Sequence, residues 1–114
     1  MHEYPITEQI VKMACKHCQE AGAKKVKEVS LVIGDSSGYI GEAIAMYFDL
    51  IAKDTICEGA TIEITNIKPK LKCSECGELF YRKLLEFKCP KCGGDGIPSE
   101  VGKEFYIDSI AVED

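Results

Sequence analysis

Two CxxC knuckles, Cys73-Ser74-Glu75-Cys76-Gly77 and Cys89-Pro90-Lys91-Cys92-Gly93, constrain this chain more than any other feature. A CxxC turn brings two sulfurs close enough to share one tetrahedral ion. The glycine after each pair lets the backbone fold back so that amides face the thiolates. Twelve residues separate Cys76 from Cys89, enough for a short hairpin carrying Phe80, Tyr81, Leu84 and Phe87 to bring the knuckles together. Four thiolates at this spacing select zinc, or less often iron, over hard cations. Two disulfides or a redox pair are the competing readings, and the matched knuckles weigh against both. A module of about thirty residues cannot be held by apolar burial alone, whereas structural zinc contributes on the order of 10–16 kcal/mol. A closed shell leaves no position for water. Cys73, Cys76, Cys89 and Cys92 are therefore expected to form a structural zinc site, not a catalytic one.

Around this module the hydrophobic periodicity predicts an α+β fold. Ile6 to about Gly22 reads as an amphipathic helix, with Ile6, Ile10, Met13, Ala14, His17 and Ala21 on one face. Lys25 to Ile33 reads as a strand ending at Gly34-Asp35. Ile40 to Lys53 reads as a second helix, with Ile44, Tyr47, Phe48 and Ile51 on its apolar stripe. Ala60 to Ile67 alternates as a strand, and Glu104 to Val112 is the last. The order predicts a three-stranded sheet with two helices on one face, plus an inserted zinc-ribbon module. The expected division is residues 1–69 and 99–114 as one α+β domain, and 70–98 as the zinc-ribbon module. The final strand must return to the sheet, so the cysteine segment is an excursion from it.

The formal charge of −5 argues against general nucleic-acid binding, which needs an excess of Lys and Arg. The apolar runs are too short to span a bilayer. The opening residues carry no basic-then-apolar leader, so a cytoplasmic protein is expected. Seven cysteines in such a chain point to metal ligation before disulfides.

Met1-His2-Glu3 is the second informative feature. The α-amine, the His2 amide nitrogen and the His2 ring nitrogen can close two fused chelate rings. The Glu3 amide or another group can complete a plane, the geometry that Ni(II) and Cu(II) prefer. Taken alone, a Met-His start is more often simply a solvated terminus.

The motifs in order carry more weight than either alone. Met1-His2-Glu3 opens onto a helix, and the first strand ends in Val32-Ile33-Gly34-Asp35. Phe48-Asp49-Leu50, Asp54-Thr55, Glu58-Gly59-Ala60 and Ile62-Glu63-Ile64 follow, then the two knuckles and a short strand. Over nearly its whole length the chain resembles the HypA/HybF family of hydrogenase maturation factors. The resemblance implies a nickel metallochaperone that delivers Ni(II) for [NiFe]-hydrogenase maturation; in some organisms related proteins also serve urease. It implies a HypB-type GTPase and the hydrogenase large subunit as partners; neither nucleic acid nor membrane is expected, and the chain itself is expected to be a monomer or weak homodimer. By the same resemblance His2 is the main nickel ligand, helped by the Met1 amine and the backbone at Glu3, while the four knuckle cysteines hold zinc. Some family members carry a long insertion between the cysteine pairs with an extra histidine; here the linker is short and has none.

Other features invite blander readings. Cys15-Lys16-His17-Cys18 offers three soft ligands that cannot readily converge from one helix, so packed or surface thiols are expected. Cys57 reads as a small buried hydrophobe. Lys68, Lys70, Lys72, Arg82, Lys83, Lys88 and Lys91 crowd the zinc segment and offset its thiolates. No nucleophile–base arrangement or phosphate-cradling loop is present, so no catalysis is expected. The alternative to the carrier reading is a zinc-ribbon module that binds nucleic acid or protein without nickel.

Overall fold

The structure, a computed structural model, describes residues 2–114; Met1, expected above as a nickel ligand, lies outside them. Helix α1 (Glu3–Glu20) leads to strand β1 (Lys25–Gly34), helix α2 (Gly41–Ile51) and strand β2 (Thr61–Ile67). Three short strands follow, β3 (Leu71–Cys73), β4 (Leu79–Phe80) and β5 (Gly96–Pro98), and then β6 (Phe105–Glu113).

The elements form two sheets. In the first, β1 lies between a parallel β2 and an antiparallel β6, in the order β2-β1-β6. The last strand thus returns to the sheet of the first, and the α+β fold with an inserted ribbon follows. The second sheet, β4-β3-β5, belongs to the ribbon.

The register of the first sheet explains its one-sided core. Val26 opposes Val112, Val29 opposes Ile110, Leu31 opposes Ile107, and Ile33 opposes Phe105. Strict alternation would lose this match. Two bulges keep it: Lys27 is the extra residue in β1 and Asp108 the extra residue in β6. Each bulge adds one residue with a charged side chain and restores the apolar parity. On the other side of β1, Ile62 and Ile64 pair with Val29 and Leu31. These residues share one core with Ile10, Val11, Ala14 and Cys18 of α1 and with Ile44 and Phe48 of α2.

Helix α1 departs from expectation in two respects. It begins at Glu3, not Ile6, because Pro5 stands in the first turn, where a missing N–H costs nothing. Its buried stripe is Glu3, Thr7, Ile10, Val11, Ala14 and Cys18, while Met13, His17 and Ala21 are exposed. Thr7 can be buried because its hydroxyl donates to the Glu3 carbonyl one turn earlier. The rotated stripe puts Cys18 in the core and turns His17 to solvent.

The ribbon joins the body through two crossing segments. The Lys70 N–H donates to the Val101 carbonyl at 3.4 Å, and the Ser99 hydroxyl donates to the Lys70 carbonyl at 2.6 Å. The stem then meets the end of β1: the Gly34 N–H donates to the Glu104 carbonyl, and the Ser36 N–H to the Gly102 carbonyl, each at 2.7 Å. The approach is so close that a Cβ on Gly34 would lie 2.1 Å from the Gly102 oxygen.

Candidate metal centre

Each knuckle is a tight turn that aims backbone N–H groups at sulfur. The Gly77 N–H donates to the Cys73 carbonyl at 3.0 Å, and the Gly93 N–H to the Cys89 carbonyl at 2.9 Å. Both glycines have positive φ, 78° and 77°, which any side chain would strain. Inside the first turn, the Glu75 and Cys76 N–H groups donate to Cys73 Sγ at 3.4 Å. In the second, the Lys91 N–H donates to Cys89 Sγ at 3.4 Å. In the first turn the donors favour thiolate over thiol at Cys73. The Cys76 N–H in particular, reinforced by that of Glu75 against the opposing effect of burial, brings Cys73 down to about 6.

The ribbon sheet brings the knuckles together. The Cys89 N–H donates to the Gly94 carbonyl at 2.8 Å and the Ser74 N–H to the Asp95 carbonyl at 2.9 Å, tying the second knuckle to the first. Cys73 Sγ then lies 3.4 Å from Cys92 Sγ, and Cys76 Sγ lies 3.8 Å from Cys89 Sγ. All four sulfurs lie within 4.8 Å of one another. A tetrahedral ion with Zn–S bonds of about 2.3 Å sets its sulfurs about 3.8 Å apart, so this donor set fits zinc. It does not fit disulfides, whose sulfurs are about 2.05 Å apart, and all seven cysteines are free. Cys73 and Cys89 are buried while Cys76 and Cys92 face outward.

Gly94 is a packing requirement that sequence reasoning missed. A Cβ there would lie 2.9 Å from Cys73 Sγ and 2.8 Å from the Glu75 side chain. The Gly93-Gly94 pair was the available signal. The expected loop residues divide: Phe80 is buried against Cys73 and Cys89, while Tyr81, Leu84 and Phe87 are exposed. Two of the basic residues rest on aromatic rings, Lys70 over Tyr81 and Arg82 over Phe87, each 4.8 Å from the centroid. Lys88 pairs with Asp95.

The chain start is distinct from this cage. His2 is exposed and precedes the first turn of α1. Glu3 points inward, only 5% exposed. Its Oε2 accepts the Ile40 N–H at 3.0 Å. A carboxylate there lies against the N-terminus of α2, where the helix dipole favours negative charge. No side chain caps α2 from its own N-cap position. Tyr4 and Tyr47 meet edge-to-face, 5.2 Å between centroids. The start of α1 is thus fastened to α2, through Glu3 at its N-terminus and through Tyr4 further along it, and His2 stands immediately outside that fastening. The Glu3–Ile40 bond spans 37 positions, so no local pattern in the sequence signals it.

A family model described as "Hydrogenase/urease nickel incorporation, metallochaperone, hypA" matches residues 1–112. The hydrogenase maturation factor HypA of Caldanaerobacter subterraneus subsp. tengcongensis is 40% identical over 114 residues, covering 99% of this chain and 100% of its own. That of Dehalococcoides mccartyi is 37% identical over 114 residues, covering 100% and 96%. The solution structure of a HypA protein aligns with a TM-score of 0.73 at 24% identity, covering 98% of this chain and 96% of its own. That of the Ni metallochaperone HypA from Helicobacter pylori aligns at 0.65 and 24%, covering 99% and 98%. At that identity the two structures speak for the fold. The sequence matches, running from end to end, carry the assignment further: this chain belongs to the HypA family of hydrogenase/urease nickel-incorporation metallochaperones.

Proposed function

We propose that this chain carries Ni(II) on its first residues and delivers it for [NiFe]-hydrogenase maturation, while the four-cysteine cage holds a structural zinc. The observation that carries the reading is the separation of two donor sets. One is a sulfur cage built into the ribbon. The other is an exposed imidazole at the start of α1, with the next residue anchored to α2.

The two donor sets suit two tasks. When bound, zinc cross-links the knuckles and fixes the ribbon, with all four positions taken by Cys73, Cys76, Cys89 and Cys92. Nickel is the cargo. The Met1 amine, the His2 amide and ring nitrogens and the Glu3 amide form a planar nitrogen set suited to Ni(II). The anchored Glu3 side chain fixes the base of this chelate, and the exposed His2 lets the ion leave. Amine and amide must lose protons to bind, so nickel affinity falls as pH falls. Cu(II) competes more strongly for the same nitrogens, so selectivity rests on metal supply and partner contact. A carrier of this kind performs no catalysis. It works in the cytoplasm as a monomer or weak dimer, with residues 70–98 as one unit and 1–69 with 99–114 as the other. A HypB-type GTPase and the hydrogenase large subunit are the partners that fit, with urease maturation as a further client.

Nickel titration of the untagged, zinc-loaded chain tests the proposal. His2→Ala should weaken nickel binding well over tenfold, more than about 1.4 kcal/mol, with zinc content and fold unchanged. One residue added before Met1 should do the same by displacing the amine. Equal nickel uptake by both variants would overturn the reading.

A further inference from the structure

Three cysteines lie outside the cage, and two of them touch. Cys15, in α1, places its Sγ 3.4 Å from Cys57 Sγ, on the segment between α2 and β2. Both ends of this contact are fixed. The Cys57 segment is pinned to the sheet by the Val26 N–H donating to the Ile56 carbonyl at 2.9 Å, and its own N–H donates to Thr55 Oγ1 at 3.0 Å. The Cys57 thiol points at α1, 3.9 Å from the Val11 carbonyl. Cys18 is buried in the same core and follows Cys15 by three residues on the same helix. None of these thiols is needed for zinc or for the chain start.

We propose that Cys15 and Cys57 are a redox modification site: with a low-molecular-weight disulfide such as oxidised glutathione as oxidant, they form an intramolecular disulfide that ties α1 to the α2–β2 connection. The sulfurs need to close by about 1.4 Å to reach bonding distance, a side-chain adjustment. The order of events follows from burial. Cys57 is fully buried, and burial, with the Cys15 contact second, pushes its thiol up to about 12. Cys15 is half-buried, so it reacts first. Its thiol gives its proton to solvent, and the thiolate attacks one glutathione sulfur. The glutathione S–S bond breaks, a Cys15–glutathione bond forms, and the departing thiolate takes up a proton. Cys57 then attacks the Cys15 sulfur, the Cys15–glutathione bond breaks, and the second glutathione leaves with the Cys57 proton. Two protein thiols are oxidised and one glutathione disulfide is reduced to two thiols.

The cross-link would close a loop across 42 positions. Loops of that length restrict the unfolded chain strongly, so the oxidised body should melt roughly 10 °C higher, reversibly with a dithiol reductant. The site is about 18 Å along α1 from Glu3 at 1.5 Å per residue, so it leaves the chain start untouched.

The test is peptide mass mapping of the full zinc-loaded chain after equilibration with oxidised glutathione. A Cys15 peptide joined to a Cys57 peptide, two hydrogens lighter than their sum, is expected with zinc content unchanged. Cys18→Ala should keep this link. Cys57→Ala should instead leave glutathione on Cys15, and Cys15→Ala should give neither product. In the unsubstituted chain, a glutathione adduct alone on Cys15, or a link from Cys15 to Cys18 or to a knuckle cysteine, would overturn the assignment whether or not the variants fold.

Discussion

In the body, Val26, Val29, Leu31 and Ile33 of β1 share a buried core with Ile44 and Phe48 of α2 and Ile10, Val11 and Ala14 of α1. In the ribbon the buried core is Cys73, Phe80 and Cys89, with Leu71 packed against it. Two of those three are proposed metal ligands. The body therefore has apolar area to stabilise it at about 25 cal/mol per Å², and the ribbon has almost none. What the ribbon has is geometry: turns, N–H···S bonds and a sheet of three short strands that converge four sulfurs. One chain thus uses two sources of stability side by side. Burial tolerates small substitutions by degrees, whereas a four-ligand cage depends on every ligand.

The largest expected effect follows. Cys73→Ser removes the ligand best prepared as a thiolate, so the ribbon should lose zinc and with it a stabilisation on the order of 10 kcal/mol. Amide exchange should show β3, β4 and β5 opening while β1 and β6 stay protected. A ribbon that remains protected without zinc would refute the division of labour. Phe48→Ala is the converse experiment. Phe48 is fully buried, and its loss should cost about 3–5 kcal/mol of body stability, read as a lower urea midpoint with zinc content unchanged. Zinc lost at the same urea concentration as the body unfolds, in both forms, would mean that the regions unfold as one unit.

The two regions also differ in how much their sequence discloses. Apolar periodicity showed both helices and the three long strands, because each buries one face and every buried side chain contributes to the pattern. It misplaced the stripe of α1, because Thr7 and Cys18 look polar or ambiguous and Met13 looks apolar. Their burial is decided by tertiary packing, and by the hydroxyl's bond to Glu3. The bulges at Lys27 and Asp108 were illegible for the same reason: a charged residue in a strand does not announce whether it is paired or extra. The four converging cysteines of the cage were legible, though not the Gly94 packing beside them, because four identical ligands in two local turns need no knowledge of the fold. Contacts made across the fold, Glu3 with Ile40 or Cys15 with Cys57, leave no local trace.

The two regions meet at Gly34, whose N–H donates to the Glu104 carbonyl. Gly34→Ala places a methyl group against backbone at 2.1 Å, and no side chain can move aside to relieve it. The Gly102 stem must shift, at a cost of about 1–3 kcal/mol. Because Gly34 is a β1 residue and Gly102 precedes β6, the penalty should fall on the body. A lower melting temperature with an unaltered zinc site is the expected result. A change in zinc affinity would show instead that the stem transmits strain into the knuckles.

The smallest effect lies at the far tip of the ribbon, where strain and exposure coincide. Leu84 and Leu85 form the two-residue turn between Lys83 and Glu86, closed by the Glu86 N–H donating to the Lys83 carbonyl at 3.0 Å. They are 86% and 88% exposed, and Leu85 has a φ of 60°. A left-handed leucine costs about 1–2 kcal/mol, and here no burial offsets it. Such a turn ordinarily favours glycine. Leu85→Gly should therefore stabilise the turn by up to about 1 kcal/mol, after allowing for glycine's greater freedom in the unfolded chain. Slower exchange of the Glu86 amide would register the gain, with the knuckles and the body unaffected. Faster exchange would mean that the leucines hold the tip by contact, and that the ribbon relies on apolar packing more than its small core implies.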